Sequence, residues 1–269
     1  MIAELRRIVG SGLRRADFLL QPHFRLAQEL FVEDHGAGAR VRSVQEWSNI
    51  RRAEAGPTGE SGHRYASDKD YRRYLTSIRE SKILSVCSLV DAFDFGRYAR
   101  ILELGCGDMP QASVICARYP GILYTATDFD PFVIDSCARV PMLNGIRKHV
   151  LDVTRSDLRE VGEHDLVMSW SLEFELDDTQ LVNLFAACRR LTVPYLLCSH
   201  TTIGPLGYLS WARSPAARKR AARMDGVRPL GWLRSVGEIA RLAGEAGMTL
   251  RSNSYHVNHA ALFFAPDGH

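Results

Sequence analysis

Short apolar runs alternate with amphipathic segments between residues 96 and 203. The apolar runs have the length of buried strands, and in the segments between them apolar residues recur at helical spacing. Strands that alternate with helices are typical of a parallel sheet covered on both faces. The pattern predicts an α/β domain with a doubly wound sheet. The predicted strand segments are ARILELG, ILYTATD, KHVLDV, HDLVMSWS and PYLLCSH.

The chain before this region has a helical pattern with a polar break. Residues 2–31 carry apolar side chains at helical spacing beside arginines, and residues 54–64 have the composition of a loop. Residues 67–92 return to helical spacing, with Ser67 as an N-cap and two aspartates in the first turn. We therefore expect residues 1–95 to form an N-terminal helical cap or lid.

The chain after residue 203 divides into an insertion and a regular ending. Residues 204–234 are rich in glycine, proline, arginine and tryptophan. Residues 236–246 have helical spacing, and a turn and two strands follow, TLRSNSYHV and HAALFFAP. We expect residues 96–269 to form one core, with residues 204–234 as an inserted substrate element.

The composition narrows the class of protein. Of 269 residues, 46% are hydrophobic and 24% are charged, which excludes a largely disordered chain and a collagen-like rod. The net charge of +3 is too balanced for a histone-like binder of nucleic acid. Only four of the 34 basic residues are lysine. This bias is typical of a GC-rich genome, and the alternative is that some arginines bind anionic groups as rigid forks.

The first residues and the cysteines indicate the compartment. Arginines interrupt the first apolar residues, so the run of roughly 7–15 that a signal peptide needs does not form. No segment approaches the ~20 apolar residues of a membrane span. The cysteines are scattered without metal-ligand spacing, and we expect reduced thiols, no bound metal and a cytoplasmic protein. They are Cys87, Cys106, Cys116, Cys137, Cys188 and Cys198.

A glycine turn follows the first predicted strand. Residues 101–104 lead into Gly105-Cys106-Gly107, and glycines there permit a positive φ and let a ligand press against the backbone. Ligands of doubly wound sheets bind at this end of the strands. Pro110 stands where a dinucleotide fingerprint has its third glycine, and no Gly-Lys-Ser/Thr follows. Both the dinucleotide fingerprint and the P-loop are therefore excluded.

Four motifs in order resemble those of class I S-adenosylmethionine-dependent methyltransferases. Residues 103–107, ELGCG, resemble the family's first motif, E/D-x-G-x-G. Asp128 stands at the end of the second strand, where the family has an acid that accepts both ribose hydroxyls. Asp152 ends the third strand, where an acid lies near the adenine amino group, and residues 165–169 match the fourth strand.

The resemblance covers roughly residues 97–203 and 235–265. It implies a seven-stranded Rossmann-like sheet, mostly parallel with the last strand antiparallel. It also implies S-adenosyl-L-methionine as cofactor and S-adenosyl-L-homocysteine as product.

The chemistry of this cofactor agrees with those positions. One carboxylate, that of Asp128, can accept both vicinal hydroxyls, and the N–H groups of the glycine turn suit the methionine carboxylate. Glu103 would hold the ammonium group, or instead brace the loop. We expect Asp130 to cap the helix that begins at Pro131. The expected cofactor-binding residues are Glu103, Gly105, Cys106, Gly107, Asp128, Phe129, Asp152, Val153 and Ser169.

Two residues are candidates for a catalytic role, Glu173 and His200. Methyl transfer is an in-line displacement that mainly needs alignment, and a base is needed only if the acceptor loses a proton early. Glu173 lies in the segment that usually faces the methyl group in this family, and its alternative role is a helix-start carboxylate. His200 ends the fifth strand, where an imidazole could act as a base, and its alternative role is structural. We expect His256 and His259 to be structural.

Substrate selection should fall to the parts outside the core. A cap tyrosine could cover the sulfonium by a cation–π contact, or lie on a partly exposed helix. Six basic residues between positions 213 and 228 are opposed by a single acidic residue, Asp225. The cluster suits a phosphate, a carboxylate, a carrier protein or RNA, or forms a solvated basic helix. The expected substrate-binding residues are Tyr65, Tyr74, Trp170 and Trp211.

The preferred function is transfer of a methyl group to an oxygen or nitrogen of a small molecule, a sugar or a specialised metabolite, including an anionic or carrier-bound one. The first alternative is an enzyme that cyclises or cleaves S-adenosylmethionine itself. The second is an RNA methyltransferase, which the net charge disfavours. A non-enzymatic regulator is the third, and the complete motif set argues against it. We expect no DNA partner, no membrane span, and a monomer or a homodimer.

Overall fold

A seven-stranded sheet lies at the centre of the computed structural model, which describes residues 12–30, 67–77, 80–213, 231–257 and 259–268. The strand order is β4-β3-β2-β5-β6-β9-β8, with β9 antiparallel to both of its neighbours and the other pairs parallel. The predicted fold class is confirmed. The described strands are β1 (Ala27–Leu30), β2 (Arg100–Leu104), β3 (Leu123–Asp128), β4 (Arg147–Val150), β5 (Leu166–Trp170), β6 (Tyr195–Ser199), β7 (Gly231–Arg234), β8 (Met248–His256) and β9 (His259–Pro266).

Helices cover both faces of the sheet, as strands that are apolar on both sides require. Side chains from α2 to α5 share one hydrophobic core, and side chains from α1, α6 and α8 share the other. The described helices are α1 (residues 12–20), α2 (Asp68–Ser77), α3 (Glu80–Ala92), α4 (Pro110–Arg118), α5 (Pro131–Ala138), α6 (Asp178–Leu191), α7 (Pro205–Arg213) and α8 (Val236–Glu245), with short 3₁₀ turns at Gln21–His23, Phe95–Arg97, Pro141–Leu143 and Leu158–Val161.

Two predicted helix caps are confirmed. The N–H of Asp70 donates to the Ser67 hydroxyl at 3.3 Å, and the N–H of Phe132 donates to Asp130 Oδ1 at 3.0 Å. Each contact satisfies a backbone donor that the first helical turn leaves without an internal partner. The predicted helical stretch over residues 67–92 is described as α2 and α3, and residues 78–79 lie outside the described part.

The expected helix over residues 2–31 is wrong for its last part. Helix α1 gives way to a 3₁₀ turn that contains Pro22, and Phe24 has an extended backbone. Residues 27–30 then form β1, which pairs antiparallel with β7 in a separate two-stranded sheet. The described parts of the expected cap therefore pack on opposite faces of the main sheet, with α1 on one and α2 and α3 on the other.

Asp17 joins α1 to the start of α7. Its Oδ2 accepts a hydrogen bond from the N–H of Gly204 at 2.8 Å. Its Oδ1 accepts from the N–H groups of Leu206 at 2.8 Å and Gly207 at 3.0 Å. A buried carboxylate at a helix N-terminus satisfies unpaired donors and is stabilised by the helix dipole. The start of the predicted substrate element is thus fixed to residues near the beginning of the chain.

Some expectations concern residues outside the described part of the chain. These are Tyr65 and the basic residues between positions 214 and 230. Among the helices that are described, none has both the length and the apolar character that crossing a membrane requires.

Candidate active site

The glycine turn lies at the carboxyl end of β2 and has the backbone conformation that its sequence predicts. Gly105 and Gly107 have φ values of 65° and 53°, and the N–H of Cys106 donates to the Thr127 carbonyl at 2.9 Å. A Cβ on Gly107 would meet no described atom within 4 Å, whereas one on Gly105 would lie 3.2 Å from Leu172. Gly107 therefore borders open space in which a ligand can approach the backbone.

Asp128 ends β3 and connects two turns at the same edge of the sheet. Its side chain is 1% exposed, Oδ2 accepts from the N–H of Gly107 at 3.0 Å, and Oδ1 accepts from the N–H of Asp130 at 3.0 Å. A carboxylate offers about four acceptor positions, so Asp128 can hold the turn and still accept further hydroxyl donors. Its position beside the open space at Gly107 fits the predicted ribose contact.

The other two acidic residues of the motifs have different surroundings. Glu103 is fully buried, and its Oε2 accepts a hydrogen bond from the Tyr124 hydroxyl at 3.0 Å. Burial first, and then the Glu103 carboxylate, raise the pKa of Tyr124 well above its ordinary value. Asp152 is partly exposed, accepts from the N–H and hydroxyl of Thr154, and lies 3.6 Å from Arg155 Nε. Glu103 thus braces the interior of the sheet, and Asp152 shapes the turn after β4.

The ends of β5 and β6 bring a serine and a histidine together. Ser171 has φ = 64°, its N–H donates to the Cys198 carbonyl at 2.6 Å, and its Oγ lies 2.5 Å from His200 Nδ1. A positive φ at a serine stores backbone strain, which is common at functional sites. His200 is exposed, whereas the Cys198 that precedes it by two residues is buried. The pair therefore places an oriented imidazole at the edge that carries the glycine turn.

Aromatic rings continue from His200 across the end of the sheet. The His259 ring lies 5.6 Å from that of His200 and 4.8 Å from that of Trp170. Trp170 is 7% exposed, and its Nε1 donates to no atom in the described ranges. Trp170 therefore packs in the interior, with its ring beside that of the buried His259.

Two histidines attach α3 to the β8–β9 hairpin. His259 Nδ1 lies 2.9 Å from the Ser85 hydroxyl, and His256 Nδ1 lies 3.0 Å from the Ser88 hydroxyl. Both rings are buried, and burial lowers the pKa of His256 below its ordinary value. These contacts fit the structural role expected of both histidines.

Glu173 lies in the interior rather than in the open. Its side chain is 2% exposed, and Oε1 accepts from the Thr201 hydroxyl at 3.1 Å. Burial raises the pKa of Glu173, while hydrogen bonds from the hydroxyls of Ser199 and Thr201 and the charge of Arg234 oppose that rise. The group is held inside the protein, so proton exchange with an acceptor would require a rearrangement.

Arg234 is a residue that the sequence did not single out. It is 1% exposed and donates to the backbone carbonyls of Glu173 at 2.6 Å and Leu176 at 2.8 Å, and to Asp178 Oδ1 at 2.7 Å. The chain contains many arginines, and a buried one has no distinct local signal. Only its position in β7, within the inserted element, could have marked it.

The remaining predicted residues lie nearby in different roles. Ser169 is buried, and its hydroxyl lies 2.6 Å from that of Tyr195. Tyr74 is half-buried, with its ring 5.8 Å from that of Tyr71, whose hydroxyl donates to the Asp108 carbonyl of the glycine turn at 2.8 Å. Phe129 and Val153 are half-buried, Cys106 is buried, and Trp211 belongs to α7 with its side chain outside the described set.

The geometry can be compared with the chemistry of the expected cofactor. The open space at Gly107, the Asp128 carboxylate beside it and the oriented His200 all lie at the carboxyl edge of the sheet. The edge offers a backbone that a ligand can approach at Gly107, and a carboxylate for hydroxyls. The residues present therefore fit S-adenosylmethionine.

Comparisons with known proteins agree with this geometry. The model of an O-methyltransferase domain family matches residues 38–249. Human N-acetylserotonin methyltransferase, solved with S-adenosylmethionine, is 16% identical with a TM-score of 0.56, over 83% of this chain and 68% of that one.

Two further methyltransferases are similar in structure as well. The mitomycin 7-O-methyltransferase MmcR is 14% identical with a TM-score of 0.57, over 83% of this chain and 69% of its own. CalO1, a methyltransferase in calicheamicin biosynthesis solved with S-adenosylhomocysteine, is 18% identical with a TM-score of 0.54, over 74% of this chain and 57% of its own. No curated protein sequence matches the chain. At these identities the structural likeness concerns the fold.

Proposed function

The chain belongs to the O-methyltransferase domain family and is a methyltransferase that uses S-adenosylmethionine, and from this premise we propose that its acceptor is an aromatic hydroxyl of a specialised metabolite. The family match over residues 38–249 carries the reaction class. The finer proposal is supported by the exposed imidazole of His200 at the end of β6, which Ser171 orients. The hydroxyl of a phenol loses its proton more readily than that of a sugar, so a phenol suits an imidazole base better.

The residues of the glycine turn and Asp128 would hold the cofactor. The methionine end would lie against the open backbone at Gly107, and Asp128 suits the ribose hydroxyls. Asp152 would lie near the adenine. The buried carboxylate of Glu103 would attract the ammonium group of the cofactor from inside the sheet. The bound cofactor supplies an electrophilic methyl group on a sulfonium. The protein aligns this group with the acceptor, which is the main source of acceleration in an in-line displacement.

His200 is the base that we assign to the acceptor hydroxyl. Ser171 Oγ engages Nδ1 at 2.5 Å, so proton transfer would use Nε2 in the tautomer whose proton lies on Nδ1. A phenol has a pKa near that of tyrosine, ≈ 10, so removal of its proton during methyl transfer lowers the barrier. Glu173 is buried and bonded to Thr201, and we assign it a supporting role under the same edge.

A panel of simple phenols, aromatic amines and sugars tests the acceptor class. The measurement is formation of S-adenosylhomocysteine and of the methylated product by mass spectrometry. We expect phenols to be methylated and sugars to be inert. Methylated sugar without methylated phenol would overturn the acceptor class. Methylthioadenosine formed from the cofactor alone would overturn methyl transfer itself.

Substitution of the histidine tests the base. H200N should lower kcat on a phenol by roughly 10²–10⁴-fold while leaving the affinity for S-adenosylhomocysteine unchanged. The matched control is H149N, because His149 is an exposed histidine of the distant strand β4. Equal kcat values for H200N and H149N would show that alignment alone drives the reaction.

The proposal also covers the compartment, the charge of the acceptor and the oligomeric state. We propose a cytoplasmic location, because all six cysteines are thiols and the cytoplasm keeps thiols reduced. The basic residues at positions 214–230 suit an anionic or carrier-bound acceptor. Salt screens such an attraction, so rising salt should raise the KM for an anionic acceptor more than the KM for a neutral one. Sedimentation of the purified protein would distinguish a monomer from a homodimer.

A further inference from the structure

The loop after β5 together with the first residue of α6, residues 171–178, contains little regular structure and carries both Ser171 and Glu173. Arg234 of β7 holds it. The guanidinium donates to the carbonyls of Glu173 and Leu176 and binds Asp178 Oδ1 through both Nε and Nη2. The planar fork of arginine matches several acceptors at fixed angles, which a lysine cannot do.

Trp232, two residues before Arg234 in β7, binds the same segment. The backbone N–H of Trp232 donates to the Phe174 carbonyl at 2.8 Å, and the Arg234 guanidinium carbon lies 4.9 Å from the centre of the Trp232 ring. Two residues of β7 therefore contact three carbonyls of one loop. A buried cation is costly unless its donors are satisfied, so a loop that moved away would leave this arginine without acceptors.

The backbone of Arg234 also holds the second loop of the site. Its carbonyl accepts from the N–H of Ile203 at 3.1 Å, in the segment that follows His200. The side chain of Arg234 thus binds the loop after β5, and its main chain binds the loop after β6. The Ser171–His200 contact joins these same two loops at their other ends.

We propose that Arg234 is a positioning residue that fixes the two loops after β5 and β6 and thereby the Ser171–His200 pair. The inference rests on the proposed function for its catalytic readout, but not for its structural readout. Because β7 lies in the inserted element and pairs with β1, a change in that element would reach the imidazole through Arg234.

Hydrogen exchange tests the structural part without any acceptor. In R234M, the amides of residues 171–178 and 201–204 should exchange at least tenfold faster, while those of β2 and β3 keep their rates. The matched control is R241M, because Arg241 is a partly buried arginine of α8 that pairs with Glu238. Unchanged exchange in residues 171–178, or an equal increase in every strand, would overturn the proposal.

A carboxyl titration gives a second readout. Selective ¹³C labelling of glutamate, with E173Q to assign the signal, follows the pKa of Glu173. Loss of the cation in R234M should raise that pKa, and R234K should restore it, because the charge of Arg234 favours the ionised carboxylate. The other titratable groups facing Glu173, Tyr195 and Cys198, stay neutral over this range because burial raises their pKa values.

Kinetics on a phenol complete the test. R234M should lower kcat at least tenfold and change the affinity for S-adenosylhomocysteine less than twofold, and R234K should recover part of kcat. Equal loss of kcat and of cofactor affinity would reduce Arg234 to a general stabilising role. If the wild type methylates no acceptor while the exchange result holds, the proposed function fails and the loop-positioning role stands. If R234M does not fold, D178N, which removes one anionic acceptor of the guanidinium, supplies the exchange and kinetic comparisons, with the same expected direction and a smaller size.

Discussion

Gly107→Ala separates what the glycine turn does for the fold from what it does for a ligand. The residue has φ = 53°, and left-handed backbone costs an L-residue about 1–2 kcal/mol. No described atom lies within 4 Å of the added Cβ, so no clash adds to that strain. At roughly 2–4 °C per kcal/mol for a chain of this size, we expect Tm to fall by about 2–8 °C.

The effect on binding should be larger than the effect on stability. A ligand that lies against the backbone of Gly107 would meet the new methyl group in the space that is now open. We expect the affinity for S-adenosylhomocysteine to fall at least tenfold, which is about 1.4 kcal/mol. Calorimetric titration measures the affinity, and a thermal melt without ligand measures the stability of the same sample.

Gly121→Ala is the matched control. Its Cβ also meets no described atom within 4 Å, but its φ is not positive, and it lies in the turn before β3 at the opposite edge of the sheet. Neither its Tm nor its affinity should change appreciably. A Gly107→Ala protein that loses stability as expected yet binds S-adenosylhomocysteine normally would place the cofactor away from this turn.

Three further changes test other parts of the reasoning. Asp128→Asn should weaken binding of S-adenosylhomocysteine more than tenfold by calorimetry, because a charged acceptor for two hydroxyls is lost. Asp135→Asn, at an exposed position, should leave the affinity unchanged. Equal affinities of the two variants would exclude Asp128 from the ribose site. Asp17→Ala removes the acceptor of three N–H groups at the start of α7 and should cost about 3 kcal/mol in urea unfolding, whereas a cost near zero would mean that water replaces it fully. Burial lowers the pKa of His256 in the folded protein, so as pH falls the imidazole is protonated first in the unfolded chain. The free energy of unfolding should therefore decrease as pH falls through about 6.5. His256→Gln should flatten the pH dependence of Tm in that range, and an unchanged slope would contradict the assignment.

Most of the sheet was accessible from the sequence because β2, β3, β5, β6 and β9 are short runs rich in apolar residues, whereas the edge strands β4 and β8 are largely polar. The helix predicted at residues 236–246 is observed at Val236–Glu245, and Asp130 caps its helix as its place before Pro131 indicates. Strand β1 was not accessible. Its four residues continue a helical spacing, and their pairing partner lies in a distant segment that no local pattern indicates.

The candidate site also contains residues that the sequence predicts and residues that only the folded structure reveals. Motifs with fixed spacing predicted Gly105, Gly107 and Asp128 as one site, and the structure brings the three together at one edge of the sheet. The positive φ of Ser171 and the burial of Glu173 depend on contacts made by other elements, so the sequence allowed Glu173 to be either a base or a structural group. Arg234 depends on tertiary structure entirely, since only the folded chain supplies its acceptors.

The pairing of β1 with β7 has a consequence for synthesis on the ribosome. The N–H of Leu26 donates to the Ser235 hydroxyl, a contact between residues 209 positions apart. At about 5–20 residues per second, the ribosome needs roughly 10–40 s to make the partner after the first segment has emerged. During that time residues 12–30 lack their β7 and α8 contacts and expose Phe18, which makes them a target for chaperones. The earliest translated part of the described chain is therefore among the last to reach its final place.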